Sequence, residues 1–470
     1  MLSWLELGLE AYISLSASEI WATRPSCSRV VGITAVCGIG IGIPVPVSTV
    51  LFPTTSSMTQ LCGAPGLGNR DSPTLLSCAP TFHMWRKCKC LLEALKQPKV
   101  LIPNSMSRWD LDKDTQFNSF VESASWDDTE CLWTIYTREG MCFKARYFLL
   151  NTGFAAKRYI PDWDGIEIFK GNFIHPSYWP REGLELKGKR VAIIGTGATG
   201  VQLATELSSI VGELVIFQRT PNTALPMKQV NYKDGEQALR REAYPDLFKG
   251  RSLSFGGFSF SPIRHNTFDD SPERRQAFYE ALWKEGDFKF WLANYQDLLS
   301  AKASNDEAYA FWREKTRARI QDPRVRELLA PMAAPYSFGC KRISLEQGFF
   351  EIFNEPHVHL VDVKSTPVEA VTGKGIRTSE KEWEFDYIIC ATGFDSITGG
   401  LKQIDIKRTS GEPLAEYWRH GTRTYLGMAV SGFPNMFFTY GPQGPTALCN
   451  GPTVSIPPKI IFPTDSATTL

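Results

Sequence analysis

Three glycines at fixed spacing, Gly195, Gly197 and Gly200, form the clearest chemical signal in the chain. A loop without side chains brings backbone N–H groups close to an anion, and a helix that starts there adds its positive dipole end. An apolar run precedes this turn and a helix-compatible segment, 201–210, follows it. Because this is the strand–loop–helix context that a GxGxxG match requires, we predict a site for a dinucleotide pyrophosphate. The predicted contact residues are Gly195, Thr196, Gly197, Ala198, Thr199, Gly200, Val201 and Gln202.

A cationic residue follows the second apolar run of this unit, 214–217. NAD-binding units usually place a carboxylate there, on the ribose 2′-hydroxyl, whereas this chain has Arg219 and Thr220. A guanidinium can form a fork of hydrogen bonds to a 2′-phosphate. We therefore predict NADP(H) as the coenzyme. The alternative is a glycine-rich turn in another kind of α/β domain, with Arg219 merely solvated.

Two strand-like segments with the same ending bracket this unit. Residues 147–154 and 387–394 both begin with Tyr, continue through apolar residues and end in Thr-Gly-Phe. The repeat predicts two related halves, each closing with a buried strand and a glycine that permits a sharp turn or a close backbone approach. Chance agreement between two ordinary strand ends is the alternative.

Composition excludes several partners and chemistries. The chain of 470 residues has 51 basic and 50 acidic side chains, so its net charge of +1 implies neither a nucleic-acid nor an anionic membrane partner. Its 11 cysteines form no CxxC pair, and Cys88 and Cys90 are too close for ordinary metal-finger spacing. We predict no structural metal and a reducing, cytoplasmic location. The 12% aromatic content suits a large core and a pocket for an organic substrate.

The first 90 residues differ in composition from the rest. No charged residue occurs between Arg29 and Arg70. Residues 30–47 are uncharged and long enough to span a membrane, but four glycines and two prolines argue against a stable spanning helix. Residues 38–43 resemble a phosphate loop, yet their spacing fails GxGxxG. We predict a poorly ordered region here.

A second distinct region, residues 231–331, is highly charged and mostly helical in its pattern. Apolar residues recur at helical spacing in 272–283 and in 305–329. We predict a helical insertion that caps the nucleotide-binding unit. An aromatic stripe is expected to form its core: Phe278, Trp283, Phe290 and Trp291.

Residues 169–180 contain the pattern FxGxxxHxxxW followed by proline, with Phe169, Gly171, His175 and Trp179 at the defined positions. On residue types alone this is an irregular linker, in which a lone histidine is most often a structural hydrogen-bonding group. The pattern resembles the fingerprint of Baeyer–Villiger monooxygenases, and the similarity extends from about residue 111 to about residue 456. Trp179 favours this group over flavin-containing relatives that oxygenate nitrogen or sulfur.

The resemblance implies a fold and a reaction. The fold is α/β with two Rossmann-like dinucleotide-binding domains, in which a discontinuous and incomplete FAD domain flanks an NADPH domain with a helical insertion. The reaction uses FAD, NADPH and O₂ to insert oxygen beside the carbonyl of a small-molecule ketone, giving an ester or a lactone. The scattered cysteines and the insertion are similar to fungal members of secondary-metabolite biosynthesis.

The resemblance also implies roles for individual residues. Arg342 would stabilise the negative charge that develops during oxygen transfer, and Lys341 would hold the 2′-phosphate together with Arg219. His175 would serve the connection between the two cofactor domains rather than act as an acid or a base. The substrate pocket would include Thr446, Ala447 and Leu448. A solvated basic pair at 341–342 is the alternative.

The chain departs from the family at both ends. The first GxGxxG of the FAD domain and the tryptophan-rich segment that ends in a catalytic aspartate are not found. We therefore expect that the chain binds FAD weakly or not at all. We also expect that both ends come from a translated intron or a wrong reading frame. Residues 1–90 are expected in place of the first FAD-binding unit, and residues 91–155 are expected to form the remainder of the FAD domain. Residues 156–390 are expected to form the NADPH domain. In residues 391–470 the chain is expected to return to the FAD domain, which is truncated. A non-catalytic NADP(H)-binding remnant and an N- or S-oxygenating enzyme are the alternatives.

Overall fold

The computed structural model describes residues 33–34, 116–180, 182–229, 243–438, 441–444 and 449–450. The strands in these residues are β1 (Ile33–Thr34), β2 (Val121–Asp127), β3 (Leu132–Thr137), β4 (Cys142–Ala145), β5 (Phe148–Leu150), β6 (Asn172–Ile174), β7 (Arg190–Ile194), β8 (Glu213–Gln218), β9 (Leu225–Pro226), β10 (Leu345–Glu346), β11 (Val358–Asp362), β12 (Val368–Val371), β13 (Gly375–Thr378), β14 (Glu382–Glu384), β15 (Tyr387–Cys390), β16 (Asp405–Lys407) and β17 (Met436–Phe438). The α-helices are α1 (Ala198–Ser208), α2 (Tyr244–Leu253), α3 (Pro272–Glu285), α4 (Lys289–Leu292), α5 (Lys302–Arg317), α6 (Pro323–Leu329), α7 (Gly399–Lys402) and α8 (Leu414–Tyr417).

A five-stranded parallel sheet, in the order β11-β8-β7-β15-β6, is the centre of the larger unit. Side chains alternate between the faces of a strand, so each face of this sheet has its own core. Val191 and Ile193 of β7 pack with α1, whereas Ala192 and Ile194 pack against the antiparallel sheet β12-β13-β14. A sheet buried on both faces requires the continuous apolar runs that the sequence shows here.

The helical insertion lies between β9 and β10 and shares the core on the α1 side of the sheet. Helix α3 begins at the cap Ser271, whose hydroxyl accepts the Arg274 N–H, and the chain turns after it at Gly286. Phe290 and Trp291 are fully buried in this core, and Phe278 and Trp283 pack against it. The predicted aromatic core of the insertion is therefore confirmed.

A second unit is assembled from three separate parts of the chain, 33–34, 121–150 and 405–438. The four-stranded sheet β16-β2-β3-β4 and the parallel sheet β1-β5-β17 share one core, which includes Trp133, Phe148 and Phe438. Strand β1 pairs in parallel with β5. Apart from β1, the predictions for residues 1–90 concern residues outside the described part of the chain.

Both copies of the Thr-Gly-Phe repeat follow a buried parallel strand, as predicted. The first copy follows β5 and the second follows β15. Gly153 and Gly393 have φ angles of 67° and 80°, a left-handed conformation that glycine adopts without strain. Across the described ranges, no helix has the length and apolarity needed to cross a bilayer.

Candidate coenzyme site

The glycine turn after β7 is a compact loop with open space above it. Gly195 has a φ angle of 102°, and its N–H donates to the carbonyl oxygen of Phe217 at 2.9 Å. A Cβ atom on Gly195 would lie 2.8 Å from the carbonyl oxygen of Ala391, whereas one on Gly197 would have no atom within 4 Å. Gly197 and Ala198 are exposed. The turn therefore has the free approach to its backbone that a pyrophosphate needs.

Helix α1 packs directly on this turn at Gly200. A Cβ atom on Gly200 would clash with the carbonyl oxygen of Gly195, so only glycine allows this approach. Thr199 and Gln202 are partly exposed on the first turn of the helix. The side chain of Val201 is fully buried and its N–H donates to the Gly197 carbonyl oxygen at 2.9 Å. Val201 thus anchors the helix beneath the predicted phosphate position.

The segment after β8 is tied to the glycine turn. The Thr196 hydroxyl donates to the carbonyl oxygen of Thr220 at 3.0 Å. The Asn222 side-chain amide donates to the Thr196 carbonyl oxygen at 2.9 Å and to the Ser344 hydroxyl at 2.8 Å. The turn, the Arg219–Asn222 segment and the loop that contains Lys341 therefore meet at one edge of the sheet.

Three cationic side chains lie in these segments: Arg219, which is exposed, Lys341, which is also exposed, and Arg342, which is half-buried. The Lys341 Nζ lies 4.4 Å from the centre of the Tyr336 ring, and the Arg342 guanidinium lies 5.9 Å from the centre of the buried Phe288 ring. Among the described residues, none of the three has a carboxylate within ion-pair distance. The three cations are therefore available to an anionic ligand.

The fingerprint segment differs from the irregular linker that residue types alone predicted. Asn172–Ile174 is the edge strand β6, and a 3₁₀ turn, Pro176–Tyr178, follows it. The Asn172 N–H donates to the Asp386 carbonyl oxygen, and β6 pairs in parallel with β15. This pairing joins residues more than 200 positions apart, so local sequence could not show it. Trp179 is buried in the core on the α1 side of the sheet.

His175 is buried and its ring makes three hydrogen bonds. Its Nδ1 accepts from the Ser177 N–H at 3.2 Å and from the Ser177 hydroxyl at 2.7 Å, and its Nε2 lies 2.9 Å from the carbonyl oxygen of Gly393. These partners require a neutral ring with the proton on Nε2. Burial lowers the pKa of His175, the Gly393 carbonyl opposes this shift, and the nearby Arg158 lowers the pKa further. The ring also packs edge-on against Phe394, with 5.3 Å between the centroids.

Gly393 is also where the chain crosses between the two units. The Tyr159 N–H donates to the same Gly393 carbonyl oxygen at 2.9 Å, and the Asp395 N–H donates to the Lys157 carbonyl oxygen at 2.8 Å. The two crossing segments therefore run side by side. His175 fixes one of them to the fingerprint segment, which supports a connecting role for this residue.

Sequence reasoning missed Tyr336 and did not assign a role to Asn222. Tyr336 donates its hydroxyl hydrogen bond to the Pro221 carbonyl oxygen, 115 positions away in the chain, and no local pattern indicates such a contact. The predicted pocket residues Thr446, Ala447 and Leu448 lie outside the described residues. In the part of the chain that is described, no cluster of three or more His, Cys, Asp or Glu side chains could hold a metal ion.

The fold and the glycine turn define an α/β protein of the dinucleotide-binding class. The model of the flavin-binding monooxygenase-like family matches residues 94–231. Cyclopentanone 1,2-monooxygenase of Comamonas sp. is 47% identical over 344 residues, which are 73% of this chain and 62% of that relative. The chain thus spans about three fifths of the length of this relative.

Two further proteins are matched by this chain over about two thirds of their own length. A Baeyer–Villiger monooxygenase of Pseudooceanicola batsensis is 32% identical, covering 80% of this chain and 68% of that relative. The crystal structure of OTEMO in complex with FAD and NADP is 34% identical with a TM-score of 0.72, covering 75% of this chain and 67% of that one. The chain belongs to the Baeyer–Villiger group of flavin-binding monooxygenases. The predicted family and fold class are confirmed.

Two alanine substitutions in the glycine turn test its packing. We expect Gly200→Ala to lower the free energy of unfolding by about 1–3 kcal/mol, because the new methyl group overpacks against the Gly195 carbonyl. Gly197→Ala is the matched control, since its methyl group enters open space at a φ angle of −70°. Denaturant unfolding measures both. Equal losses in the two variants would contradict the proposed close packing of α1.

The buried neutral state of His175 predicts a pH dependence of stability. Because the folded pKa is below the ordinary value of about 6.5, the unfolded chain binds the proton first as pH falls. We therefore expect the contribution of His175 to be complete above about pH 6.5 and to decrease as pH falls from there toward the folded pKa. Unfolding free energies of the native chain and His175→Gln, measured from pH 5 to pH 7.5, should converge at the acid end. Unfolding free energies that differ by the same amount at every pH would show that His175 does not titrate in this way. His420→Gln, which removes an exposed imidazole, is the control.

Proposed function

We propose that the chain is an FAD- and NADPH-dependent monooxygenase that inserts one oxygen atom of O₂ beside the carbonyl of a ketone. The observation that carries this proposal is the open glycine turn with Arg219, Lys341 and Arg342 beside it, in a member of the Baeyer–Villiger group. An anion-binding turn alone would suit many α/β proteins. The additional cations, free of carboxylates within the described residues, favour a phosphorylated coenzyme.

NADP(H) fits the residues that are present. The backbone of Gly195, Gly197 and the start of α1 would hold the pyrophosphate, while Arg219 and Lys341 would bind the 2′-phosphate. The hydrogen bonds of Asn222 join the segment after Arg219 to the glycine turn and to the loop that contains Lys341. The coenzyme, when bound, supplies the hydride.

FAD would be held by the second unit, and it supplies the oxygen-activating chemistry when bound. Strand β5 lies between β1 and β17, and it is followed by the buried residues Asn151 and Thr152 and by Gly153 at positive φ. A strand end of this kind suits a ligand at the carboxyl edge of a parallel sheet. The segments 121–150 and 399–438 share one core, which supports assigning 91–155 and 391–470 to FAD and 156–390 to NADPH.

Arg342 is the residue proposed to act in oxygen transfer. Its half-buried guanidinium lies against the buried Phe288, which shields one side of the charge from water. A fixed cation in a partly dry site stabilises developing negative charge more strongly than a solvated one. His175 holds the crossing segments and is proposed as a positioning residue.

A cyclic ketone is the proposed substrate class, because the Comamonas relative is a cyclopentanone monooxygenase. Thr446, Ala447 and Leu448 are proposed to line its pocket. We also propose that the chain acts in secondary-metabolite biosynthesis.

An assay of NADPH oxidation with added FAD and cyclopentanone tests the reaction. We expect ketone-stimulated NADPH consumption and a lactone product one oxygen atom heavier than the ketone. Arg342→Ala should abolish lactone formation but retain NADPH-dependent bleaching of the flavin, because it removes only the charge used in oxygen transfer. Arg377→Ala, on β13 and paired with Glu369, is the control.

Other outcomes of the assay separate the alternatives. Tight NADP⁺ binding without flavin reduction would indicate a non-catalytic binding remnant. Oxygenation of an amine or a sulfide in place of the ketone would indicate the N- or S-oxygenating class. Full lactone formation by Arg342→Ala would contradict the role of this residue.

Coenzyme preference tests the assignment of Arg219. The loss of one charge-assisted hydrogen bond costs about 1.5–3 kcal/mol, or roughly ten- to a hundredfold in affinity. Arg219→Ala should therefore raise the KM for NADPH by about this factor and leave the KM for NADH nearly unchanged. Arg324→Ala, an exposed arginine on α6, is the control. An unchanged ratio of the two KM values would contradict the assignment.

A further inference from the structure

Tyr336 lies between the two segments that contain the cations proposed to bind the 2′-phosphate. Its hydroxyl donates to the Pro221 carbonyl oxygen at 2.9 Å and accepts the Thr223 N–H at 3.3 Å. The face of its ring lies 4.4 Å from the Nζ of Lys341. One side chain thus contacts both the segment after Arg219 and the ammonium group of Lys341.

Each of these contacts restricts a group that is otherwise free to move. A lysine ammonium is a point charge on a flexible four-carbon chain, and an aromatic face attracts it to one position. Lys341 is exposed and its ammonium has no ion pair among the described residues, where it lies over the Tyr336 ring. The two hydrogen bonds of the hydroxyl fix the backbone just after Arg219.

The protonation state of Tyr336 suits this double role. A tyrosine hydroxyl is a hydrogen-bond donor at neutral pH, and burial raises the pKa of the Tyr336 hydroxyl further above its ordinary value. Asn222 also connects these segments, but its side-chain amide donates to Thr196 and Ser344 and not to a group on Lys341. Tyr336 is therefore the residue in position to adjust the distance between the two cations.

We propose that Tyr336 is a specificity-determining positioning residue for the coenzyme, which holds Lys341 through its ring and the Arg219 segment through its hydroxyl. The two cations would then converge on a 2′-phosphate without the cost of ordering them when the ligand binds. The ligand class is a nucleotide with a 2′-phosphate on its ribose. This inference rests on the proposed NADP(H) site.

Calorimetric binding of 2′,5′-ADP and of 5′-AMP to the full chain tests the proposal without flavin or turnover. Tyr336→Phe keeps the ring and removes the hydroxyl, so the affinity for 2′,5′-ADP should fall about threefold. Tyr336→Leu removes both contacts and should lower it about tenfold. The affinity for 5′-AMP should change by less than about twofold in both variants. Tyr295→Phe, which removes a buried hydroxyl that donates to Asp270, is the matched control and should leave both affinities unchanged.

A double-mutant cycle separates positioning from a general structural effect. If the ring acts through the ammonium, Tyr336→Leu should cost less in 2′,5′-ADP affinity in a Lys341→Ala background than in the native chain. Additive losses, or an equal loss of 5′-AMP affinity, would overturn the proposal. If Tyr336→Leu does not fold, the same cycle with Tyr336→Phe and Arg219→Ala tests the hydroxyl contact.

The failure of this inference can be distinguished from the failure of the proposed function. A native chain that binds 2′,5′-ADP and 5′-AMP equally would overturn the NADP(H) site itself and this inference with it. A native chain that prefers 2′,5′-ADP, with unchanged affinities in the Tyr336 variants, would overturn only the role of Tyr336.

Discussion

The contact between α1 and the glycine turn is the constraint on which the site depends. At Gly200 the helix comes so close to the Gly195 carbonyl that no side chain fits between them. This approach directs the start of the helix at the space above Gly197, which remains open. It also places the turn next to the end of β8, where the Arg219–Asn222 segment begins. A coenzyme phosphate bound in this region would thus meet backbone donors, a helix dipole and side-chain cations.

The segments that cross between the two units are held together at the Gly393 backbone. The Gly393 carbonyl oxygen accepts hydrogen bonds from both His175 and the Tyr159 N–H, so the fingerprint segment and both crossing segments share one point. A reaction that passes a hydride between two cofactors requires their domains to be held at a defined distance. The buried, neutral His175 is proposed to contribute to this by fixing the geometry of the connection, and it has no carboxylate partner among the described residues.

Much of this architecture could be predicted from the sequence because its signals are local. The apolar run of β7, the glycine spacing and Arg219 are contiguous, and the Thr-Gly-Phe repeat marked β5 and β15 correctly. Strand β6 could not be predicted, because it exists through pairing with β15. The contacts of Tyr336 could not be predicted either, since its partners Pro221 and Thr223 lie more than 100 positions away. Long-range contacts of this kind leave no periodic pattern in the chain.

The central claim is that a coenzyme phosphate is held between cations at the edge of the parallel sheet. The most direct measurement is a pH titration of the ³¹P resonance of the 2′-phosphate of NADP⁺ bound to the chain. Free phosphate monoesters titrate near a pKa of about 6, and neighbouring cations stabilise the more negative form. We expect the bound 2′-phosphate to remain dianionic to a clearly lower pH than in free NADP⁺. A bound resonance that titrates as in the free coenzyme would contradict it.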